Sequence, residues 1–288
     1  MCGLFGIISP NWNQNILRTL AVCNRERGTD SLGFFDSSGR MKKGAADPAR
    51  VLGQENITKW LEESSKGSKK RVASWFVAGH TRQGTRGKAN RRNAHPFRYG
   101  NIIASHNGMV DAPKDYEVDS QYLVDTLQQT GGNYQEAWKD ISGYWVMTWF
   151  DGHALYLQSH SGELHITYKD GVWYYSSDDE HLEAALGQCD NMYKFQEGET
   201  WKFTYTDGKI EYVKLENFVS EAPKYYKYTY TQYKYTDESE TSYYGDKLYA
   251  NTKSTTSDSA VDSNARDWDE EWKEAWAEYS LQSEHSQP

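Results

Sequence analysis

The sequence contains no apolar run of about 18 residues, the length a helix needs to cross a bilayer. Its opening, MCGLFGIIS, is too short for a secretory leader and lacks a basic flank. Three cysteines, Cys2, Cys23 and Cys189, lie too far apart for a disulfide framework or a zinc knuckle. These absences argue against a helical membrane protein and a small disulfide-stapled fold, and they predict a reduced, cytoplasmic setting. Positive charge is also scarce. The formal net charge is −9, and residues 221–288 alone hold 14 acidic and 7 basic residues, which leaves −2 for the first 220. That balance argues against a nucleic-acid-binding chain. The basic stretch containing Arg82, Arg86, Lys88, Arg91, Arg92 and Arg98 is suited to meeting an anion.

Aromatics are plentiful, with 22 Tyr and 11 Trp, although the mean hydropathy is −0.89. The pattern over 2–9 predicts a buried strand. Ile16, Leu17, Leu20 and Ala21 predict a helix over 13–25. A short strand is expected at 31–39 and a helix at 55–64. Strands are expected at 71–82 and 101–108, each ending on a polar loop. DSQYLVDTLQQTGG (119–132) has a helix start and a glycine stop. Three hairpins follow, at 143–160, 163–177 and 199–215, each turning on an Asp-Gly pair, with a short helix at 178–187. Strands and helices come in blocks rather than in strict alternation. The expected fold is therefore α+β, with antiparallel sheets and helices packed outside them.

Composition changes near Glu221. Residues 221–262 are polar and Tyr-rich with little Leu, Ile or Val, so they are expected to be a largely disordered linker. Alternating Tyr with Lys or Thr at 224–235 also fits a strand that pairs on a partner's sheet edge. Residues 263–288 place Trp268, Trp272 and Trp276 at intervals of four with acids between them, an amphipathic helix pattern. Such a stripe docks either on its own domain or on another protein.

Several polar residues at strand ends suit a small amide substrate with amino-acid termini. Arg82 can pair bidentately with an α-carboxylate. Asp119 can pair with an α-ammonium group. The Asn107 amide and the Gly108 N–H can hold an oxyanion. Cys2 supplies a thiol. Each has a plainer reading: Cys2 as terminal filler, Arg82 and Asp119 as a structural ion pair, Asn107-Gly108 as a tight turn. His80, His95 and His106 raise the question of a metal. No carboxylate or cysteine spacing accompanies them, so they read as structural, and no metal or cofactor is expected. Cys23 and Cys189 read as small buried side chains.

Six stretches carry a resemblance: CGLFGI (2–7), RGTDSLG (27–33), GHTRQGTRG (79–87), NAHP (93–96), SHNGMV (105–110) and VDSQYL (118–123). In this order they resemble the glutaminase domain of the class II (N-terminal nucleophile) glutamine amidotransferases, the variety found in glucosamine-6-phosphate synthase, with amidophosphoribosyltransferase a relative. The resemblance covers about residues 2–215. It implies a four-layer αββα sandwich of two antiparallel sheets, the N-terminal nucleophile hydrolase fold, over a domain at 2–220. It implies that Met1 is removed, that the Cys2 thiol attacks L-glutamine and that the Cys2 α-amine acts as base. Asn107 and Gly108 would form the oxyanion hole, Arg82 would bind the α-carboxylate and Asp119 the α-amine. Thr81, Thr85 and His95 would shape the substrate loop, and Arg27 would brace the nucleophile.

Two positions depart from that pattern. Gln83 stands where the family usually has an aromatic residue, and Arg86 where the glucosamine-type loop has a histidine. Family members usually continue into a synthase domain, whereas here a polar tail follows without a phosphate-binding glycine loop. The expectation is a glutaminase that passes ammonia to a separate synthetase or modifying enzyme, docked through Trp268, Trp272 and Trp276. Two other readings stand beside it: an uncoupled amide hydrolase, and a catalytically silent interaction protein that works through its tail.

Overall fold

The computed structural model describes residues 2–67 and 72–222. The Tyr-rich segment from 223 and the Trp268, Trp272 and Trp276 stripe lie outside the described residues.

The expected first strand is β1 (Gly3–Ile8), and its alternation shows how the layers arise. Leu4 and Ile8 join one buried cluster, while Phe5 and Ile7 join another on the opposite face. A strand apolar on both faces needs cover on both sides. Helix α1 (Gln14–Cys23) supplies part of it, started by Asn13, whose side chain accepts from the Asn15 N–H. A 3-10 turn (Asn24–Arg27) then leads into β2 (Ser31–Asp36) and β3 (Met41–Gly44). Helices α2 (Pro48–Leu52) and α3 (Glu55–Lys66) follow. β4 (Phe76–Arg82) is shorter than the strand expected from residue 71.

The second half of the fold opens with β5 (Phe97–Tyr99) and β6 (Ile102–Val110), then α4 (Asp119–Gln129) and α5 (Tyr134–Trp138). The three expected hairpins are β7 (Gly143–Phe150) with β8 (Ala154–Ser159), β9 (His165–Lys169) with β10 (Val172–Ser176), and β12 (Glu199–Thr206) with β13 (Lys209–Lys214). Helix α6 (Asp179–Leu186) and the two-residue β11 (Tyr193–Lys194) lie between them. Asp170-Gly171 and Asp207-Gly208 turn with both residues at positive φ, the geometry that matches strand twist in a two-residue hairpin.

The strands form two antiparallel sheets. One runs in the order β11-β9-β10-β1-β4-β2-β3 and the other β13-β12-β8-β7-β6-β5. Leu4, Ile8, Phe76, Ile103, Val146 and Phe150 pack between the sheets. Leu17, Leu20, Phe34, Leu61 and Leu182 fill the space between the first sheet and its helices. Leu123, Leu127, Trp138, Trp145 and Trp149 do the same between the second sheet and α4–α5. Helix, sheet, sheet and helix make the four expected αββα layers. Packing continues past the last strand. Phe218 is buried, and the Glu221 N–H donates to the Lys139 carbonyl at 2.7 Å. No helix among the described residues is long and apolar enough to cross a membrane.

Candidate active site

Strand parity decides which side chains reach the site. On β4, Phe76 and Ala78 point between the sheets and Val77 points at the helices. His80 and Arg82 share the first face, and Thr81 takes the second. Thr81 accordingly faces the 3-10 turn, where its Oγ1 donates to the Asn24 carbonyl at 2.7 Å. On β6, Ile103 points between the sheets, while Ile102, Ala104 and Val110 point at α4. His106 and Gly108 belong to the α4 side. Asn107 belongs to the other and is half-exposed.

A cleft of about 290 Å³, open to solvent, lies where these elements meet. Cys2, Arg82, Gln83, Thr85, Arg86, His95, His106, Gly108, Val118, Asp119 and Ser120 line it. Of the residues singled out in the sequence, the cleft gathers Cys2, Arg82, Thr85, His95, Gly108 and Asp119. Thr81, Arg27 and Asn107 do not line it.

Cys2 is held at both ends. Arg27 Nε donates to the Cys2 carbonyl at 3.1 Å, and Arg27 Nη1 pairs with Asp178 at 3.2 Å. The Cys2 thiol lies 3.5 Å from the Gln83 carbonyl oxygen and 3.4 Å from the Gln83 nitrogen, so the backbone of one residue can accept a hydrogen bond from the thiol or donate one to the sulfur. Burial pushes the thiol pKa up, and the Gln83 backbone bond and nearby Arg82 oppose that shift. The position of Gln83 is itself fixed. A Cβ on Gly28 would fall 2.3 Å from the Arg82 carbonyl carbon and 2.6 Å from Gln83 N, so only glycine lets that peptide pack so closely. Asp30 then accepts from the Gly84 N–H at 2.6 Å.

The buried Arg82 guanidinium donates to two carbonyls of its own loop, Arg86 at 2.6 Å and Lys88 at 3.3 Å. It makes no ion pair with Asp119. Asp119, at the first position of α4, accepts from the Val110 N–H at 3.1 Å and from the Ser120 N–H at 3.0 Å. A cation and an anion therefore stand in one cleft without neutralising each other, an arrangement that suits a zwitterionic amino-acid end.

Three buried histidines cluster beside the cleft, and two of them, His95 and His106, line it. His80 and His95 stack with ring centres 3.9 Å apart, and His106 lies 6.5 Å from His95. His80 Nε2 is 3.0 Å from the His106 carbonyl, so that nitrogen carries the proton. His106 Nδ1 meets Ser120 Oγ at 2.9 Å. Burial lowers the pKa of all three, His80 to about 3. Neutral rings of this kind add no charge beside the thiol. The group of three metal-type ligands that does converge among the described residues is Glu26, Asp178 and His181. Arg27 already holds Asp178 there, and His181 Nε2 meets Glu26 at 2.7 Å.

Sequence reasoning did not single out the Gln83 backbone, Val118 or Ser120 as part of the site. The Gln83 contribution is a peptide group and leaves no side-chain signal. Asp178, which fixes Arg27, sits 151 residues from it in the chain, and nothing local connects the two.

No protein-family model matches the chain. It is 27% identical over 219 residues to the glutamine–fructose-6-phosphate aminotransferase (isomerizing) of Campylobacter jejuni, covering 67% of this chain and 34% of that protein. It is 31% identical over 115 residues to the enzyme of the same name from Legionella pneumophila strain Paris, covering 38% of this chain and 17% of that one. The chain thus spans a third or less of the length of these curated relatives. Among solved structures, the glutamine phosphoribosylpyrophosphate amidotransferase of B. subtilis shares the fold, with a TM-score of 0.57 at 16% identity, over 76% of this chain and 49% of that one. The ordered motifs, the two-sheet sandwich and these similarities all match the chain to the glutaminase domain of the class II, N-terminal nucleophile glutamine amidotransferases.

Proposed function

We propose that this domain hydrolyses L-glutamine to glutamate and ammonia through Cys2. The observation that carries the reading is the convergence of Cys2, Arg82, Gly108 and Asp119 on one cleft from distant parts of the sequence. Arg82 takes the substrate α-carboxylate and Asp119 the α-ammonium, which leaves the side-chain amide directed at Cys2. With Met1 removed, the Cys2 α-amine accepts the thiol proton. Its ordinary pKa of about 7.7–8.0 lies near working pH, so it can serve first as base and then as acid. The base is needed because burial keeps the thiol protonated at rest.

Sulfur attacks the amide carbon, and negative charge develops on its oxygen. The Gly108 N–H receives that oxyanion, and the Asn107 amide, which flanks the cleft without lining it, turns in to join it once glutamine is bound. The C–N bond then breaks, and the nitrogen leaves as ammonia with the proton the amine held. A γ-glutamyl thioester remains on Cys2. Water, deprotonated by the same amine, attacks it and releases glutamate and the free thiol. Thr85 and His95 shape the wall around the substrate, and Thr81 and Arg27 support the strand and turn behind it. Ammonia passes to a separate acceptor enzyme, which the Trp268, Trp272 and Trp276 segment would engage.

Glutamate release from glutamine, measured beside Cys2→Ala, tests the reading. The expected result is release by the wild type and loss of at least about a thousandfold in the variant, the scale seen when a nucleophile is removed. Equal release by both would rule out Cys2 as nucleophile. Absence of release from the wild type, with or without added candidate acceptors, would favour the silent interaction protein.

A further inference from the structure

Arg86 does two things that no other residue at the cleft combines. Its backbone carbonyl accepts from Arg82 Nη2 at 2.6 Å. Its own guanidinium reaches across to the connection between β6 and α4, residues 111–118. There Nη1 donates to the Ala112 carbonyl at 3.3 Å, and Nη2 donates to the carbonyls of Pro113 at 3.2 Å and Tyr116 at 2.9 Å. That connection ends at Val118, directly before Asp119. The 83–96 loop and the 111–118 connection have a second tie nearby. Asn93 Nδ2 donates to Glu117 Oε1 at 2.7 Å and to the Lys88 carbonyl at 3.0 Å.

We propose that Arg86 is a positioning residue that sets Arg82 and Asp119 relative to each other, clasping the substrate loop onto the 111–118 connection before glutamine arrives. Arg82 is held by a carbonyl of the residue whose side chain holds the approach to Asp119. The two grips on the amino-acid end are thereby fixed as one unit. A planar guanidinium suits the task, because its fork can satisfy three carbonyls in fixed directions, whereas a lysine offers a single point charge. Preorganised grips lower the ordering cost of binding and leave the bond-making atoms of Cys2 and Gly108 untouched. The effect therefore belongs in KM rather than in kcat.

The kinetic part rests on the glutaminase reading, and the structural part does not. The test compares the wild type, Arg86→Lys and Arg86→Met as full chains, by steady-state glutamine hydrolysis and by amide hydrogen exchange without substrate. In Arg86→Met, amides of 84–92 and 112–118 should exchange at least about tenfold faster, and KM for glutamine should rise by about tenfold or more with kcat within roughly threefold. Arg86→Lys should fall between it and the wild type in both. Unchanged exchange in the two segments overturns the clasp. Faster exchange with unchanged KM, or a fall in kcat at constant KM, overturns its role in binding. If the wild type itself hydrolyses no glutamine, the glutaminase reading fails with it, and the exchange arm alone decides whether the clasp exists.

Discussion

Arg27 is the residue whose loss should injure chemistry without injuring substrate binding. It touches Cys2 only through the carbonyl, and its other hand is on Asp178. Neither contact reaches the cleft, yet together they fix where β1 begins and so where the sulfur points. A nucleophile displaced by even about 1 Å can lose on the order of a hundredfold in rate. Arg27→Met keeps the stem's packing and removes the donors. The expected outcome is a kcat lower by about 10- to 100-fold with KM for glutamine within about threefold. A rise in KM with kcat preserved would mean that Arg27 serves the pocket rather than the nucleophile. Residues like this one show why only part of the site was legible in the sequence. Cys2, Arg82 and Asp119 carry charges or a thiol and sit in recognisable stretches. Arg27 could be named because it lies in RGTDSLG, whereas its partner Asp178 lies in no motif at all.

At the scale of elements, alternation and turn chemistry were the readable signals, and brevity was what hid the rest. The three Asp-Gly hairpins, β1, α1, α3, α4 and α6 all follow from periodicity and turn residues. The two-residue β11, the three-residue β5, the four-residue β3 and the five-residue α2 and α5 are too short for a period to show. They are held by neighbours instead. β6 is a different kind of miss. The expected strand ends on Asn107-Gly108, whereas the observed one pairs through Gly108 with Trp145 and on to Val110 with Gly143. The reason is the missing side chain. A Cβ on Gly108 would lie 2.1 Å from the Tyr144 carbonyl oxygen and 2.7 Å from the Trp145 Cα, both on β7, and the residue also has φ +153°. Glycine is what permits the ladder to continue here at the edge of the cleft. Gly108→Ala should therefore separate β6 from β7 locally, at a cost of about 1–3 kcal/mol or more, typical of overpacking against a rigid neighbour. Urea unfolding monitored by tryptophan fluorescence would register this as a lower midpoint at unchanged m-value. An unaltered midpoint would mean that β7 yields without strain.

For the molecule as a whole, the four layers bury a cluster of three histidines drawn from β4, β6 and the loop between them, and its protonation should limit stability in acid. His80, His95 and His106 are each at most 4% exposed. Several of their ring nitrogens, among them both of His95, have no hydrogen-bond partner among the described residues. Burial holds all three neutral, and the nearest charged groups, Arg82 and Lys43 beside His95 and Asp119 beside His106, pull in opposite directions. In the unfolded chain each would titrate near pH 6.5. The folded pKa of His80 is about 3, and those of the other two are also depressed. Below about pH 6.5 the unfolded chain therefore binds more protons than the folded one, so stability falls as pH falls, and it is fully present only above that value. Each histidine contributes a slope of at most about 1.4 kcal/mol per pH unit, or roughly 4 kcal/mol per unit for the three. Against a typical total of about 5–15 kcal/mol, one or two units of acidification would consume much of the margin. Urea unfolding at pH 7.5, 6.5 and 5.5 should show little change over the first interval and a steep loss over the second. His80→Gln, which removes one titrating ring but retains a donor for the His106 carbonyl, should flatten that second slope by about 1.4 kcal/mol per unit at most. If wild type and variant lose stability in parallel between pH 6.5 and 5.5, His80 is not held neutral in the fold, and the acid sensitivity arises from carboxylates instead.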